Sequence, residues 1–322
     1  MLDPRHDLDR YGDSLRPVPR TLGGELVGPG VVVLGAHRSG TSLVARMLAA
    51  LGLEPGSAEE LRPGDRYNPD GYFERRSLLR WHDEVLNASG GFASAPPAAS
   101  ALVPLTPERR RGFGAALHGL PAAGGWLVKD PRHCLLLGHW KELRGEVDLA
   151  IVVVRHPGDV VQSLRRRSGY RPALGMALWE RYNRALVTGM AGRAGLVVPY
   201  EDLVARPVAW AEALAACVAR RHPQVVGSTI EQAAALVEAR HPAREHREVA
   251  PTPVDALHGA LVELGGYHDA LPAVTLGEPT PYAEALLDRR RRRLRRLSVL
   301  RRLPELCTTI DSLPGRLRRV AG

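Results

Sequence analysis

The segment Gly35-Ala-His-Arg-Ser-Gly-Thr-Ser42 carries the residue types that grip a phosphate. Glycines let backbone N–H groups turn toward an anion, and a helix starting at the loop's end adds its positive N-terminus. Against the Walker pattern G-x-x-x-x-G-K-S/T, Gly35, Gly40 and Ser42 match, but Thr41 stands where the lysine for the β- and γ-phosphates belongs. This argues against an ordinary ATPase or kinase. The loop offers Arg38 instead, flanked by the hydroxyls of Ser39, Thr41 and Ser42, a set that suits a phosphate held without a metal-bridged triphosphate. Taken alone, a plain Gly/Ser turn ahead of a core helix is the alternative reading.

A second constellation is Val152-Val-Val-Arg-His-Pro-Gly-Asp-Val-Val-Gln-Ser163. Its β-branched run ends at Arg155, and Pro157 with Asp159 opens a helix. Ser163 then falls in the second turn of that helix, close enough for Arg155 and Ser163 to meet one phosphate. Ligands collect at this carboxyl edge of parallel sheets. A strand-end salt bridge and a solvent-facing serine would leave the same pattern.

Both loops need buried strands behind them, and the sequence supplies four: VVVLG from Val31, WLVK from Trp126, LAIVVVR from Leu149 and GLVVPY from Gly195. Helically patterned segments lie between or after them, and this alternation predicts a parallel sheet. The expected fold class is therefore α/β, P-loop-like, with a central parallel β-sheet flanked by helices in three layers. Residues 1–28 read as a loose, flexible leader, 29–275 as the α/β domain and 276–322 as a helical C-terminal extension. Gly90 to Pro107, rich in Pro, Ala and Ser, reads as a lid or a surface connection.

Composition narrows the partners. A chain of 322 residues, 44% hydrophobic, can bury a full core, and its formal charge of +9 suits an anionic ligand, nucleic acid or an acidic membrane face. Cys134, Cys217 and Cys307 lie far apart without C-x-x-C spacing, which implies neither a disulfide framework nor a zinc knuckle. His241-Pro-Ala-Arg-Glu-His246 has the wrong spacing for a zinc helix, so no metal site is expected. Gly28-Pro-Gly30 precedes its strand and lacks the third glycine of a dinucleotide fingerprint. The N-terminal residues are charged where a signal peptide needs an apolar stretch, and a cytoplasmic location is expected.

In their order, HRSGTS (His37 to Ser42) and VVVRHPGDVVQS resemble the two cofactor signatures of the sulfotransferase family. Lys129-Asp-Pro-Arg132 is similar to a basic motif of its bacterial and Golgi-type members, and Pro199-Tyr-Glu-Asp-Leu203 to a strand-end motif. The resemblance spans roughly residues 30–210. It implies that His37, Arg38, Ser39, Gly40, Thr41 and Ser42 hold the 5′-phosphosulfate of 3′-phosphoadenosine 5′-phosphosulfate (PAPS), and that Arg155 and Ser163 hold its 3′-phosphate. Lys129 and Arg132 would bind substrate. Many members have lysine where this chain has Arg38, while bacterial and some Golgi-type members resemble it in having arginine. The basic loop that completes the 3′-phosphate site in cytosolic members has no clear counterpart; Arg240 and Arg244 are candidates outside the assigned site.

The implied activity is metal-independent transfer of a sulfuryl group to a hydroxyl or amine, on a small-molecule or glycan acceptor rather than nucleic acid. Arg38 would stabilise the departing phosphate. Glu74 is the first candidate for general base, provided burial raises its pKa, with His82 second and Asp70 and Asp83 behind. A nucleotide kinase-like phosphotransferase and a non-catalytic nucleotide- or membrane-binding protein are the alternatives. From Tyr282 onward a block of arginines combines with Leu287, Leu294, Leu297, Leu300 and Leu303 at near-helical spacing. This predicts a basic amphipathic helix, docked on the domain or resting on an anionic membrane through Arg289–Arg302.

Overall fold

The β-branched runs become neighbouring strands of one sheet. In the computed structural model, which describes residues 20–22, 25–145, 148–223, 230–238 and 254–300, the chain opens with β1 (Arg20–Leu22) and β2 (Glu25–Val27). These pair antiparallel, so the expected loose leader contains a strand pair, while residues 1–19 lie outside the described residues. Then follow β3 (Gly30–Leu34), α1 (Thr41–Ala50), α2 (Arg76–Ala88), α3 (Pro107–Leu117), β4 (Trp126–Lys129), α4 (Leu137–Arg144), β5 (Leu149–Val154) and α5 (Pro157–Ser168). The chain continues through α6 (Pro172–Met190), β6 (Gly195–Pro199), α7 (Tyr200–Ala205), α8 (Pro207–Arg221) and α9 (Ile230–Glu238). It closes with α10 (Asp255–Glu263), β7 (Gly266–His268) and α11 (Pro281–Leu300).

The sheet runs β4-β3-β5-β6-β7. Its first four strands are parallel as expected; β7 pairs antiparallel with β6, through Val197 opposite Gly266, and makes the sheet mixed. Strand residues alternate between two cores. Val32, Leu34, Val128, Val152 and Val154 face one helical layer with Trp179 and Tyr182 of α6; Val31, Val33, Leu127, Ile151 and Val153 face the other, with α1 and α8. Each fully buried Val or Leu contributes roughly 1.5–3 kcal/mol, and this double coverage makes every central-strand residue apolar. Strand order reverses between β3 and β5, so a crevice opens at their carboxyl ends, where Gly35 and Arg155 lie.

The C-terminal helix docks on the domain. Ala283 and Leu287 of α11 are buried in the α6-side core, and its arginines reach back to the segment after α2. Arg290 Nε donates to the Ser94 carbonyl at 3.0 Å, Arg295 Nε to that of Gly90 at 2.9 Å, and Arg291 to that of Pro96. Arg181 of α6 adds a bond to the Pro97 carbonyl at 2.9 Å. The stretch read as a possible lid is thus fastened down at its first half. Leu303 and Cys307 lie outside the described residues.

Burial also keeps several histidines neutral. Burial pushes His133 and His222 below the ordinary value of 6.5, and pulls His258 to about 4, helped by neighbouring His156. The unfolded chain accepts protons near 6.5 and the folded chain resists them, so stability is full above that pH and falls as pH drops toward 4. Urea unfolding at pH 5 should give a lower midpoint than at pH 7. An equal or higher midpoint at pH 5 would contradict this account.

Candidate functional site

The loop from Gly35 to Ser42 leaves β3 in conformations that glycine or strain must provide. Gly35 has φ 151°, and a Cβ there would sit 2.6 Å from the Val153 carbonyl oxygen. Its N–H donates to the buried Cys134 Sγ at 3.1 Å. Arg38 takes the left-handed region at φ 71°, uncommon for a side chain of its size, and Gly40 follows at φ 94° as the residue before α1. A Cβ on Gly40 would lie 2.2 Å from the Tyr200 ring. Ser39 is wholly buried, and its Oγ has no hydrogen-bond partner. Turned residues ahead of a helix with no side-chain cap are a backbone geometry that can receive an anion.

The end of β5 meets this loop directly. Arg155 Nη1 donates to the Arg38 carbonyl at 3.2 Å, and Arg38 Nε donates to Ser163 Oγ at 2.9 Å. His156 opens α5 by accepting the Gly158 N–H at 3.2 Å, while its own N–H donates to Glu201 Oε1 at 2.9 Å. Tyr200 lies under the Arg155 guanidinium, 4.4 Å from carbon to ring centroid. The Tyr200-Glu201 pair therefore braces both loops, a role that its place in a strand-end motif did not reveal. Burial, then the nearby Arg167, lowers the Arg38 pKa; the group stays a cation.

Opposite stands a buried ion pair. Lys129 Nζ at the end of β4 donates to Glu74 Oε1 at 2.7 Å, and Arg62 Nη1 to Glu74 Oε2 at 3.1 Å. Burial alone would raise the Glu74 pKa, but the Lys129 ammonium and its hydrogen bond outweigh burial and hold the carboxyl below its ordinary value. The expected upward shift is thus reversed, and Glu74 is a carboxylate at neutral pH. Between the two walls lies a cavity of about 510 Å³, onto which Arg38, Ser42, Glu74, Lys129, Arg155 and Arg167 open.

His37, also on the cavity, donates from Nε2 to the Tyr182 hydroxyl at 3.1 Å, since that hydroxyl gives its own proton to the Ala93 carbonyl at 2.8 Å. Burial, then Arg132, pulls the His37 pKa to about 4. The other candidates lie elsewhere. His82 is wholly buried: Trp140 Nε1 donates to its Nε2 at 3.0 Å, which leaves the proton on Nδ1 for Asp130 at 2.6 Å. It has no access to the cavity, which argues against the second-choice base. Arg132 is bound to Asp83 Oδ1 at 2.7 Å and Asp130 Oδ1 at 3.1 Å, so of the two basic residues in this motif Lys129 alone lines the cavity. Asp83 is engaged by Arg132 and Asp70 by Arg46. Arg240 and Arg244 lie outside the described residues.

Sequence reading did not assign Arg46, Tyr67, Asn68, Tyr72 or Arg167, all of which line the cavity. For Arg167 the signal was present: it stands four residues after Ser163 on the same helix. No group of three or more His, Cys, Asp or Glu side chains among the described residues could hold a metal ion.

The sulfotransferase family profile matches residues 29–248. No curated relative matches the sequence. Among solved structures, the sulfotransferase domain of the Synechococcus PCC 7002 olefin synthase is 21% identical, with 82% of this chain and 94% of that one covered and a TM-score of 0.35. The sulfotransferase domain from the curacin biosynthetic pathway is 16% identical, with 83% and 98% covered and a TM-score of 0.38. The sulfotransferase STF1 from Mycobacterium tuberculosis H37Rv is 18% identical, with 67% and 72% covered and a TM-score of 0.39.

Proposed function

This chain belongs to the sulfotransferase family, and from that premise we propose that it uses PAPS to sulfate a hydroxyl or amine of a small-molecule acceptor. The observation that carries the donor assignment is the junction of two phosphate-binding elements at neighbouring strand ends, through Arg38 to Ser163 at 2.9 Å and Arg155 to the Arg38 carbonyl at 3.2 Å. A nucleotide with phosphates on both its 3′ and 5′ sides fits such a junction; a linear triphosphate, lacking the Walker lysine, does not. The partnerless buried Ser39 hydroxyl suits an anion seated on this loop.

When bound, the donor supplies the sulfuryl group: its sulfur bonds the acceptor oxygen or nitrogen, the bond to the 5′-phosphate oxygen breaks, and 3′,5′-ADP leaves. Arg38 offsets the charge that gathers on the departing phosphate. Glu74, ionised and facing the cavity, accepts the acceptor proton. Its lowered pKa makes it a weak base, so the proton moves late, once the new bond has acidified the attacking group. Lys129 keeps Glu74 in place and charged. Tyr67 and Asn68 on the remaining wall supply polar groups, which suit a carbohydrate or glycoconjugate acceptor, while the Tyr72 ring is already covered by Arg62 and Arg167.

Calorimetry of 3′,5′-ADP, 5′-AMP and ATP without added metal tests the donor. The expected result is tight 3′,5′-ADP binding that Arg155→Ala weakens at least tenfold, with poor ATP binding. Preference for ATP with Mg²⁺ would sink the proposal. Peripheral contact with an anionic membrane belongs to the same reading. Arg289, Arg292, Arg293 and Arg296 form one exposed face of α11, and no described helix is long and apolar enough to cross a membrane. Equal sedimentation with neutral and anionic vesicles would remove that part.

A further inference from the structure

We propose that the His37 side chain serves the acceptor rather than the donor, its Nδ1 lone pair taking a hydrogen bond from an O–H or N–H at or beside the reacting atom. Tyr182 is then the positioning residue that keeps this lone pair in place. The inference rests on the PAPS reading and deepens it.

The tautomer follows from a chain of three groups. The Ala93 carbonyl can only accept, so the Tyr182 hydroxyl, 2.8 Å away, gives it its single proton. The hydroxyl oxygen must then accept from His37 Nε2 at 3.1 Å, which leaves Nδ1 bare. The far end of the chain is fixed. Phe92 and Ala95 exchange backbone hydrogen bonds of 3.1 and 3.0 Å around Ala93, and Arg290 holds the next carbonyl, that of Ser94. Tyr182 is 1% exposed and stands edge-on to the imidazole, with 5.0 Å between ring centroids. Among the described residues none bonds His37 Nδ1, and the half-buried side chain opens onto the cavity.

A bare lone pair repels an anion. The phosphosulfate carries no proton at neutral pH, so Nδ1 has nothing to receive from it, although the motif places His37 in the donor's loop. The acceptor is the partner that carries hydrogens. Glu74 lines the same cavity, near enough to act on the charge of His37, and takes the proton of the reacting atom. Nδ1 therefore needs a second hydrogen: the other one of an attacking water or amine, or that of a neighbouring hydroxyl. Acceptors with adjacent donors, a vicinal diol or an amine, fit this pair better than an isolated alcohol. Burial, then Arg132, keeps His37 a weak base with a pKa of about 4, so Nδ1 holds that hydrogen without removing it.

The test uses wild type, His37→Ala, His37→Asn and Tyr182→Phe, with water as acceptor and release of 3′,5′-ADP from PAPS as the rate. The hydrogen bond tightens as the attacking atom gains positive charge, so its loss falls on the rate. His37→Ala should slow release roughly 10- to 100-fold while 3′,5′-ADP affinity by calorimetry stays within about twofold. His37→Asn, which can set an amide oxygen near the Nδ1 position, should recover part of the rate. Tyr182→Phe keeps the ring and should slow release about threefold to tenfold. Nitrogen NMR of histidine-labelled protein should show His37 as Nε2–H in wild type and as a mixture of tautomers in Tyr182→Phe. Ethylene glycol should outpace ethanol as added acceptor, and His37→Ala should erase the difference. An Nδ1–H tautomer in wild type overturns the inference whatever the rates. A loss of 3′,5′-ADP affinity in His37→Ala as large as the loss of rate also overturns it, and returns the side chain to the donor. A wild type that does not bind 3′,5′-ADP defeats the PAPS reading itself; tight binding with unchanged release in His37→Ala defeats this inference alone.

Discussion

Arg38→Gly should slow sulfuryl transfer about 100- to 1,000-fold while costing 3′,5′-ADP affinity far less. Arg38 sits at φ 71°, a strain that alanine would keep and glycine relieves, so the slowdown of the glycine variant does not come from added backbone strain. With no acceptor in hand, the rate to follow is release of 3′,5′-ADP from PAPS with water as acceptor. The asymmetry is the substance of the prediction, since a group that neutralises charge developing on the leaving phosphate acts more in the transition state than in the bound state. Arg38→Lys, which restores the charge without the fork, should recover much of the rate. Equal losses in rate and affinity would make Arg38 an anchor for the donor and take the leaving-group role from it.

Glu74→Gln should be costly twice, in stability and in rate. It leaves the Lys129 ammonium, 1% exposed, without its carboxylate, and breaking a buried pair from one side destabilises by about 3–5 kcal/mol. It also removes the proposed base, for a rate loss of about 100-fold or more. Glu74→Gln with Lys129→Met separates the two effects: the urea midpoint should recover toward wild type, while PAPS hydrolysis should not. Recovery of both would reduce Glu74 to a structural partner of Lys129.

The chemistry-bearing loops were legible because they interrupt apolar runs. Val31 to Leu34 and Leu149 to Val154 can only be strands covered on both faces, so Gly35 and Arg155 had to sit at strand ends. Their adjacency was not legible, since strand order depends on packing between segments far apart in sequence. The same holds for Glu74 and Lys129, whose pairing reversed the expected pKa shift across 55 residues of separation. The third strand-end partner, Tyr200, acts through ring contacts that no spacing rule encodes.

Other discrepancies were readable in hindsight. Leu78, Trp81, His82, Val85 and Leu86 repeat at helical spacing and are all buried, so His82 lay on the apolar face of α2 from the start. Gly23-Gly24 between two short runs is a hairpin signal within the expected leader. At three residues, two of them Gly266 and His268, β7 offers no apolar run to find.

The arginines of α11 that hold the Gly90, Ser94 and Pro96 carbonyls have a consequence for biosynthesis. Ala93 receives the Tyr182 hydroxyl that orients His37, so the segment pinned by α11 borders the phosphate loop. Translation delivers the phosphate loop early and its distant fastening late. A ribosome stalled before α11 emerges presents a nascent chain whose α6 surface still lacks the cover of Ala283 and Leu287. Docking of α11 covers that surface, and until then the chain carries exposed apolar area open to aggregation.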